Sequence, residues 1–234
     1  MGIITIAFDD GYRETFESCA EFLTRKGIRA TFAVPVSFIG QELENRPVMD
    51  TSQIDHLIKN NHEIASHTST HRNLLDVFNT GGEEAVKAEM KSSREMLEKT
   101  FGIKIESMVF PFIEANHDPY LRHLASGYYN SSRITTEKTA FNRLPVTDPF
   151  SAIGVAFTRD VPIKEYEKLV DIANEFDLWL IEVFHLVSGK NTKSAHRDDP
   201  YRFFTQIEDF KHHVDYILSK GTKVHPQKNV IKHL

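Results

Sequence analysis

Short apolar runs alternate with amphipathic stretches along the chain. The apolar runs are rich in β-branched and aromatic residues, which predicts strands over residues 3–8, 30–34, 63–65, 107–110, 128–131, 153–157 and 178–184. Between them, apolar residues recur at helical spacing, which predicts helices over residues 15–25, 52–60, 83–101, 119–126, 164–175 and 200–220. Strands that alternate with helices indicate a parallel sheet covered by helices.

The last predicted strand indicates how such a sheet is buried. Its residues 178–181 read Leu-Trp-Leu-Ile, an unbroken apolar run typical of a strand covered on both faces. About seven strand–helix units favour a closed barrel, with an open doubly wound sheet as the alternative. Both architectures place the active site at the carboxyl ends of the strands.

Composition narrows the class of protein. The 234 residues fit one domain spanning 1–234, and 28 Lys and Arg against 33 Asp and Glu give a net charge of −5. This mild acidity disfavours nucleic acid as a partner. The single cysteine excludes an internal disulfide, and no apolar run is long enough to be a transmembrane segment. No signal peptide is recognisable, so a cytoplasmic location is predicted unless a leader was removed before numbering.

Polar residues stand directly after three of the predicted strands. Asp9 and Asp10 follow the first, His67 and His71 the third, and His185 the last. Each has a structural explanation when taken alone: an Asp-Gly turn, a chance pair among 12 histidines, and a hydrogen-bonded core histidine. Together, two histidines on one helical turn and a carboxylate make a three-ligand metal set with positions left open. Open positions are typical of a catalytic rather than a structural site.

Strand parity places the other two side chains. Side chains alternate between the two faces of a strand. Asp9 falls on the same face as Ala7, and His185 falls on the same face as Val183. Asp9 and His185 are therefore both expected to face the barrel interior, across the metal.

Four segments carry a resemblance to a known family. Residues 5–11 (TIAFDDG) and 67–71 (HTSTH) resemble the first two motifs of the polysaccharide deacetylases, the NodB-homology or carbohydrate esterase family 4 group. Residues 110–112 (FPF) and 184–185 (FH) are similar to the third and fifth motifs. The resemblance implies a distorted (β/α)7 barrel of the NodB-homology type, with parallel strands and outer helices. It also implies metal-dependent hydrolysis of N- or O-acyl groups on sugars.

The same resemblance implies roles for individual residues. The metal ligands would be Asp10, His67 and His71. Asp9 would be the general base and His185 the general acid. The residue types fit, because a carboxylate can take a proton from water and an imidazole can return one to a leaving amine.

The third motif supplies the remaining roles. The backbone N–H of Phe112 would stabilise the oxyanion. Pro111 is assigned to the substrate pocket. So is Val183, which stands where the fifth motif has Leu and for which a place in the barrel core is also compatible. The Gly that usually follows the third motif is replaced by Ile113.

Two departures from the family pattern leave questions open. Val109 stands where the family often has an Arg that orients the base, so the partner of Asp9 is open. Arg133 is a candidate substitute, although a charge on the protein surface is the favoured interpretation of this residue. The fourth motif, an acidic residue and a Trp, has no counterpart that we can place. The only Trp, Trp179, is interpreted as core.

Three other features have weaker interpretations. Glu182 is an acid inside an apolar strand and is expected to pair with a Lys or Arg of a covering helix, or to bond near the site. The histidines of the C-terminal region are interpreted as surface residues: His212, His213, His225 and His233. The polar stretch 187–199 is a candidate substrate loop, or simply a solvated connection.

The sequence thus predicts a metal-dependent hydrolase that removes an N-acetyl or other small acyl group from an amino sugar or sugar conjugate. Zn²⁺ is the expected metal, with Co²⁺, Ni²⁺ or Mn²⁺ as alternatives. The oligomeric state is left open. Two other functions are also kept: a catalytically impaired carbohydrate-binding module of the same fold, and a related hydrolase acting on a non-sugar amide. A structural metal site and a non-haem iron oxygenase are disfavoured.

Overall fold

The computed structural model describes residues 1–113, 118–189 and 200–233. The strands are β1 (Ile3–Phe8), β2 (Thr31–Val34), β3 (Glu42–Leu43), β4 (Arg46–Pro47), β5 (Glu63–Ser66), β6 (Ser107–Val109), β7 (Ser131–Thr136), β8 (Ala152–Ala156), β9 (Trp179–Phe184), β10 (Leu186–Ser188), β11 (Phe204–Gln206) and β12 (Lys223–Val224). The helices are α1 (Arg13–Arg25), α2 (Thr51–Lys59), α3 (Leu74–Phe101), α4 (Pro119–Ser126), α5 (Ile163–Glu175), α6 (Ile207–Ser219) and α7 (Gln227–His233).

Seven of these strands form a closed parallel barrel. Their order is β1–β2–β5–β6–β7–β8–β9, and β9 pairs with β1 along its whole length to close the ring. The short strand β12 extends the sheet by pairing with Ile3 and Ile4 of β1. Residues 137–151 connect β7 to β8 without a helix, so the barrel is distorted. The predicted (β/α)7 barrel is confirmed, and the pairing of β9 with β1 excludes the open sheet.

Two predicted elements begin at different residues from those expected. The strand predicted at 128–131 begins only at Ser131, because the N–H groups of Tyr128 and Tyr129 still bond to the Ala125 carbonyl after α4. The span α3 begins at Leu74, nine residues before the helix predicted at 83–101, and a φ of 70° at residue 82 divides it just before the predicted start. The predicted helix is therefore the second part of α3, and the helical segment before residue 82 was not predicted.

The predicted helix 200–220 is also shorter than expected. Residues Pro200–Phe203 form a 3-10 turn, and β11 follows it and pairs with β10. Only then does α6 begin, at Ile207. The chain therefore returns to the carboxyl end of the barrel after β10, which brings residues 202 and 203 close to the strand ends.

The two faces of the barrel strands bury different side chains. The interior contains Ala7, Ile181 and Val183 together with Trp179, whose Nε1 donates to Thr5 Oγ1 at 2.9 Å. The expectation that Trp179 is core is correct, since it is fully buried. The outer face packs against the helices through aromatic rings, among them Phe8, Phe32, Phe184 and Phe210.

Glu182 lies on this outer face and has an unexpected partner. Its Oε1 is 2.8 Å from Nε2 of His213 on α6, and both side chains are buried. The partner is therefore a histidine of a covering helix rather than a Lys or Arg. The interpretation of His213 as a surface residue is wrong, because it falls on the buried face of α6.

None of the helices in the described part of the chain is long and apolar enough to cross a lipid bilayer.

Candidate active site

The turn after β1 separates the two adjacent carboxylates. Asp10 and Gly11 both have φ of 67°, in the left-handed region that non-glycine residues rarely adopt. This reversal lets Asp9 and Asp10 point to different partners although they are neighbours in the chain. Backbone strain of this kind persists where the surrounding structure fixes it, and it often occurs at active sites.

His67 and His71 converge through an irregular loop, not through the helical turn that their spacing suggested. Thr68 and His71 have φ of 64° and 54°, and the His71 N–H donates to Thr68 Oγ1 at 3.1 Å. Glu89 of α3 holds the same loop by accepting from the N–H groups of Ser69 and Thr70 at 3.0 and 2.8 Å. Sequence reasoning missed Glu89, whose only signal was an acid on an amphipathic helix.

Asp10, His67 and His71 form a compact donor set. One ligand atom from each lies within 4.8 Å of the others. Asp10 Oδ1 is 3.3 Å from His67 Nε2 and 3.1 Å from His71 Nε2. His67 Nδ1 is 2.9 Å from the Val109 carbonyl, and because a carbonyl can only accept, Nδ1 carries the proton. In a neutral imidazole, Nε2 is then the nitrogen that is left to ligate a metal.

The electrostatics of this set favour an ionised carboxylate. Burial opposes the charge on Asp10, but contacts with His67 and His71 outweigh burial and hold the pKa of the Asp10 carboxyl well below its usual value. Burial would lower the pKa of His71, but its bond to Asp10 outweighs burial and raises it. One carboxylate and two imidazoles that face one point fit a divalent transition metal such as Zn²⁺.

Asp9 has a buried cationic partner. Nη2 of Arg133, on β7, lies 2.5 Å from Asp9 Oδ1, and the Arg133 side chain is fully buried. The favoured interpretation of Arg133, as a charge on the protein surface, is therefore wrong. Val109 on β6 cannot pair with Asp9, but Arg133 is its register partner on the neighbouring strand β7. The cationic partner of Asp9 is therefore supplied by β7.

His185 follows β9 and lies across the pocket. Its carbonyl accepts from Thr15 Oγ1 at 2.8 Å, and its ring packs against Phe203 with centroids 4.7 Å apart. Within the described residues, His185 Nδ1 has no hydrogen-bond partner. Phe203 was missed because residues 200–220 were interpreted as one helix.

The third-motif segment closes the pocket on the side of His71. Phe112 has φ of 60°, and its ring packs against the His71 ring with centroids 5.2 Å apart. Its side chain is 46% exposed.

These residues line one pocket of about 280 Å³ at the carboxyl ends of the strands. The lining residues are Asp9, Asp10, Glu44, His67, His71, Phe110, Phe112, Ile113, Thr135, Glu137, His185, Arg202 and Phe203. Pro111 and Val183 are not among them: Pro111 is buried, and Val183 packs in the barrel interior. The part of the stretch 187–199 that was considered as a substrate loop lies, from residue 190 onward, outside the described residues.

Three charged rim residues were not predicted. Glu137 forms a two-point ion pair with Arg202. Glu44 sits in the β3–β4 turn at φ 53° and accepts from the Tyr12 hydroxyl at 3.2 Å. The alternation of side chains along a strand could have identified Glu137, because residues 133, 135 and 137 lie on the same face of β7 and its continuation.

Comparison with known proteins identifies the family. The sequence profile of the polysaccharide deacetylases matches residues 2–129, more than half of the chain, so the chain belongs to that family. Arg133 and His185 lie beyond the matched segment. Comparison with curated proteins gave no match.

Solved structures of similar fold come from several organisms. The Xyl-CE4 domain of a multidomain xylanase from the hindgut metagenome of Trinervitermes trinervoides has a TM-score of 0.61 at 14% identity, covering 99% of this chain and 90% of that one. IcaB from Ammonifex degensii has a TM-score of 0.59 at 20% identity, with 73% and 71% covered. BA3943 from Bacillus anthracis, described as a CE4 family pseudoenzyme, has a TM-score of 0.58 at 11% identity, with 99% and 66% covered. At these identities the likeness concerns the fold.

Proposed function

We propose that this chain is a metal-dependent deacetylase that removes an acetyl or other small acyl group from an amino sugar or sugar conjugate. The observation that carries the proposal is one pocket in which a three-ligand metal set lies beside a buried carboxylate and a histidine. Family membership supports the reaction class. Zn²⁺ is the proposed metal, with Co²⁺, Ni²⁺ or Mn²⁺ as alternatives.

Asp10, His67 and His71 would hold the metal. A divalent cation there would act as a Lewis acid, polarising the acyl carbonyl and lowering the pKa of water. Three protein ligands leave room for water and substrate, which separates this proposal from a structural metal site.

The other residues move protons and bind the developing charge. Asp9 takes a proton from the attacking water. His185 gives a proton to the leaving amine as the C–N bond breaks, so that amide and water yield amine and carboxylate. The N–H of Phe112 would donate to the oxyanion that forms on the carbonyl oxygen. Pro111 and Val183 lie outside the lining, so we assign neither to substrate contact.

The rim fits a polar substrate such as a sugar. Glu44, Glu137 and Arg202 offer acceptors and donors to hydroxyl groups, and the exposed ring of Phe112 offers a flat apolar face. Free oligosaccharides and nucleotide-linked monosaccharides both meet this description. The predicted cytoplasmic location would favour the second group, and cell fractionation tests that location.

A second candidate is a carbohydrate-binding module of the same fold without activity. It is favoured by His185 Nδ1, which has no partner among the described residues to orient the ring or stabilise its charged form. The two candidates share the pocket and differ in turnover.

The test is acetate and formate release from a panel of N-acylated amino sugars, both oligomers and nucleotide-linked monomers. Zinc- or cobalt-loaded protein is expected to release the acid, and a chelator is expected to abolish release. His67→Ala should lose metal binding and activity together, whereas His212→Ala, which changes an exposed histidine of α6, should change neither. Binding of panel members without any release would favour the binding module and contradict the hydrolase.

A further inference from the structure

We infer that Glu44 is a specificity-determining residue that disfavours anionic sugar conjugates, such as nucleotide-linked sugars, at the pocket. The inference rests on the proposed function, because it concerns which substrates that same pocket accepts. The proposed function leaves free oligosaccharides and nucleotide-linked monosaccharides both open, and the charge of Glu44 distinguishes them.

Glu44 stands at the tip of a short hairpin. Leu43 of β3 pairs antiparallel with Arg46 of β4, so Glu44 and Asn45 form a two-residue turn. Both turn residues have positive φ, 53° and 60°. Such angles are typical of a type I′ turn, in which Asn is favoured and a longer side chain such as Glu is not. An unfavourable conformation that the fold maintains points to a function for the side chain it presents.

Tyr12 holds the glutamate in this position. Its hydroxyl donates to Glu44 Oε2 at 3.2 Å, and its buried ring packs in one cluster with Leu43 and Val48. A tyrosine hydroxyl is uncharged at neutral pH. Tyr12 therefore orients the carboxylate of Glu44 without neutralising its charge.

The other three carboxylates that line the pocket each have a positive partner available. Arg133 pairs with Asp9, and Arg202 pairs with Glu137. Asp10 belongs to the proposed metal set, in which a cation would balance its charge. The negative charges of these three carboxylates are thus accounted for.

The charge of Glu44 is not balanced in this way. Within the parts of the chain that the structure describes, Glu44 forms no ion pair, and Nη1 of nearby Arg46 lies 3.7 Å from Glu14 Oε2 instead. Arg202 is the only Lys or Arg among the described residues that line the pocket. It is already paired, and its Nε also lies 3.7 Å from Asp160 Oδ2. The rim therefore carries a net negative charge at the hairpin tip.

This charge acts differently on the two groups of substrate. The hydroxyl groups of an uncharged oligomer can donate to the Glu44 carboxylate. The phosphates of a nucleotide-linked sugar are negatively charged acceptors, so they gain no hydrogen bond from Glu44 and are repelled by it. Repulsion of the disfavoured ligand is one of the two ways in which a protein can be specific.

The experiment measures kcat/KM for acetyl release from an uncharged acetylated amino-sugar oligomer and from an acetylated amino sugar linked to a nucleoside diphosphate. The wild type should favour the oligomer. Glu44→Gln removes the charge and nearly preserves the shape, so the ratio of the two kcat/KM values should fall about 5-fold, as expected for one short-range charge repulsion in water. The matched control is Glu42→Gln, which removes an exposed charge of the same hairpin outside the pocket lining and should leave the ratio unchanged.

Two further measurements separate charge from shape. Added salt should lower the ratio of the wild type, because salt screens the repulsion, and should leave the ratio of Glu44→Gln nearly constant. Tyr12→Phe keeps the charge and loses the hydrogen bond that orients it. This variant should lower the ratio less than Glu44→Gln does.

Binding distinguishes a failure of this inference from a failure of the proposed function. If the wild type releases no acyl group, the same ratio is obtained from dissociation constants, by calorimetric titration of the zinc-loaded protein with the two compounds. A ratio that falls in Glu44→Gln and not in Glu42→Gln then supports the role of Glu44 in a protein that does not hydrolyse. The inference is overturned if Glu44→Gln leaves the ratio unchanged, if Glu42→Gln lowers it equally, or if neither compound binds.

Discussion

Acid should destabilise this protein through one buried histidine, His62. Its Nδ1 accepts from the Ala30 N–H at 3.1 Å, and its Nε2 lies 3.1 Å from Thr24 Oγ1. The ring also meets the Phe32 ring edge-on, with centroids 5.4 Å apart. Because Nδ1 is an acceptor for a backbone N–H, it can be protonated only if that hydrogen bond breaks.

The direction and size of the effect follow from this setting. Burial first, and then the positive charges of Arg29 and His56, lower the pKa of His62 from 6.5 to about 4. The unfolded chain therefore binds more protons than the folded one between these two values, and stability falls as the pH falls through that window. A shift of this size corresponds to about 3 kcal/mol, fully present above pH 6.5 and lost near pH 4.

The assay is urea unfolding of metal-free protein from neutral pH down to about pH 4, with wild type compared to His62→Asn. Asparagine keeps an acceptor close to the Nδ1 position and cannot take up the proton. The variant should be less stable than wild type at neutral pH, and the difference should shrink by about 3 kcal/mol across the window. His212→Ala serves as control, since that side chain is exposed. A difference between wild type and His62→Asn that stays constant with pH would refute the reasoning.

The remaining predictions concern the pocket and the barrel wall. Asp9→Asn should keep the metal and lose turnover by several orders of magnitude, measured by acyl release and metal content; near-normal turnover would remove Asp9 as the base. His185→Ala should keep metal affinity in a calorimetric titration while lowering kcat, and a loss of metal would make His185 a ligand. Gly154→Ala should lower the free energy of unfolding by about 1–3 kcal/mol through overpacking against Val183, and unchanged urea midpoints would contradict that packing.

Much of the fold and the site could be predicted from the sequence because both depend on short-range patterns. Unbroken apolar runs predicted the parallel strands, and the rule that active sites lie at the carboxyl ends of the strands pointed to Asp10, His67 and His71. The structure brings these three residues within 4.8 Å of one another. Parity along β1 and β9 likewise predicted that Asp9 and His185 share the pocket.

The features that could not be predicted depend on contacts between residues that are far apart in the chain. Arg133 lies in a strand of serines and threonines whose local pattern is the same whether the arginine faces solvent or crosses the barrel. Its buried position depends on groups distant in the chain, the Asp9 carboxylate and the space left by Gly154. His213 was misplaced because an amphipathic helix offers a histidine on either face, and its buried partner lies 31 residues earlier in the chain. Phe203 reaches His185 through a return of the chain that no local periodicity signals.

The most direct test of the account is a metal titration of activity. Zinc is added stepwise to metal-free protein while acetate release from an acetylated amino-sugar oligomer is followed. The account predicts that activity rises in proportion to added zinc and levels off at one equivalent, and that the same titration of His67→Ala stays flat. Activity that is present without metal, or that does not respond to zinc, would contradict the claim that Asp10, His67 and His71 hold a catalytic metal.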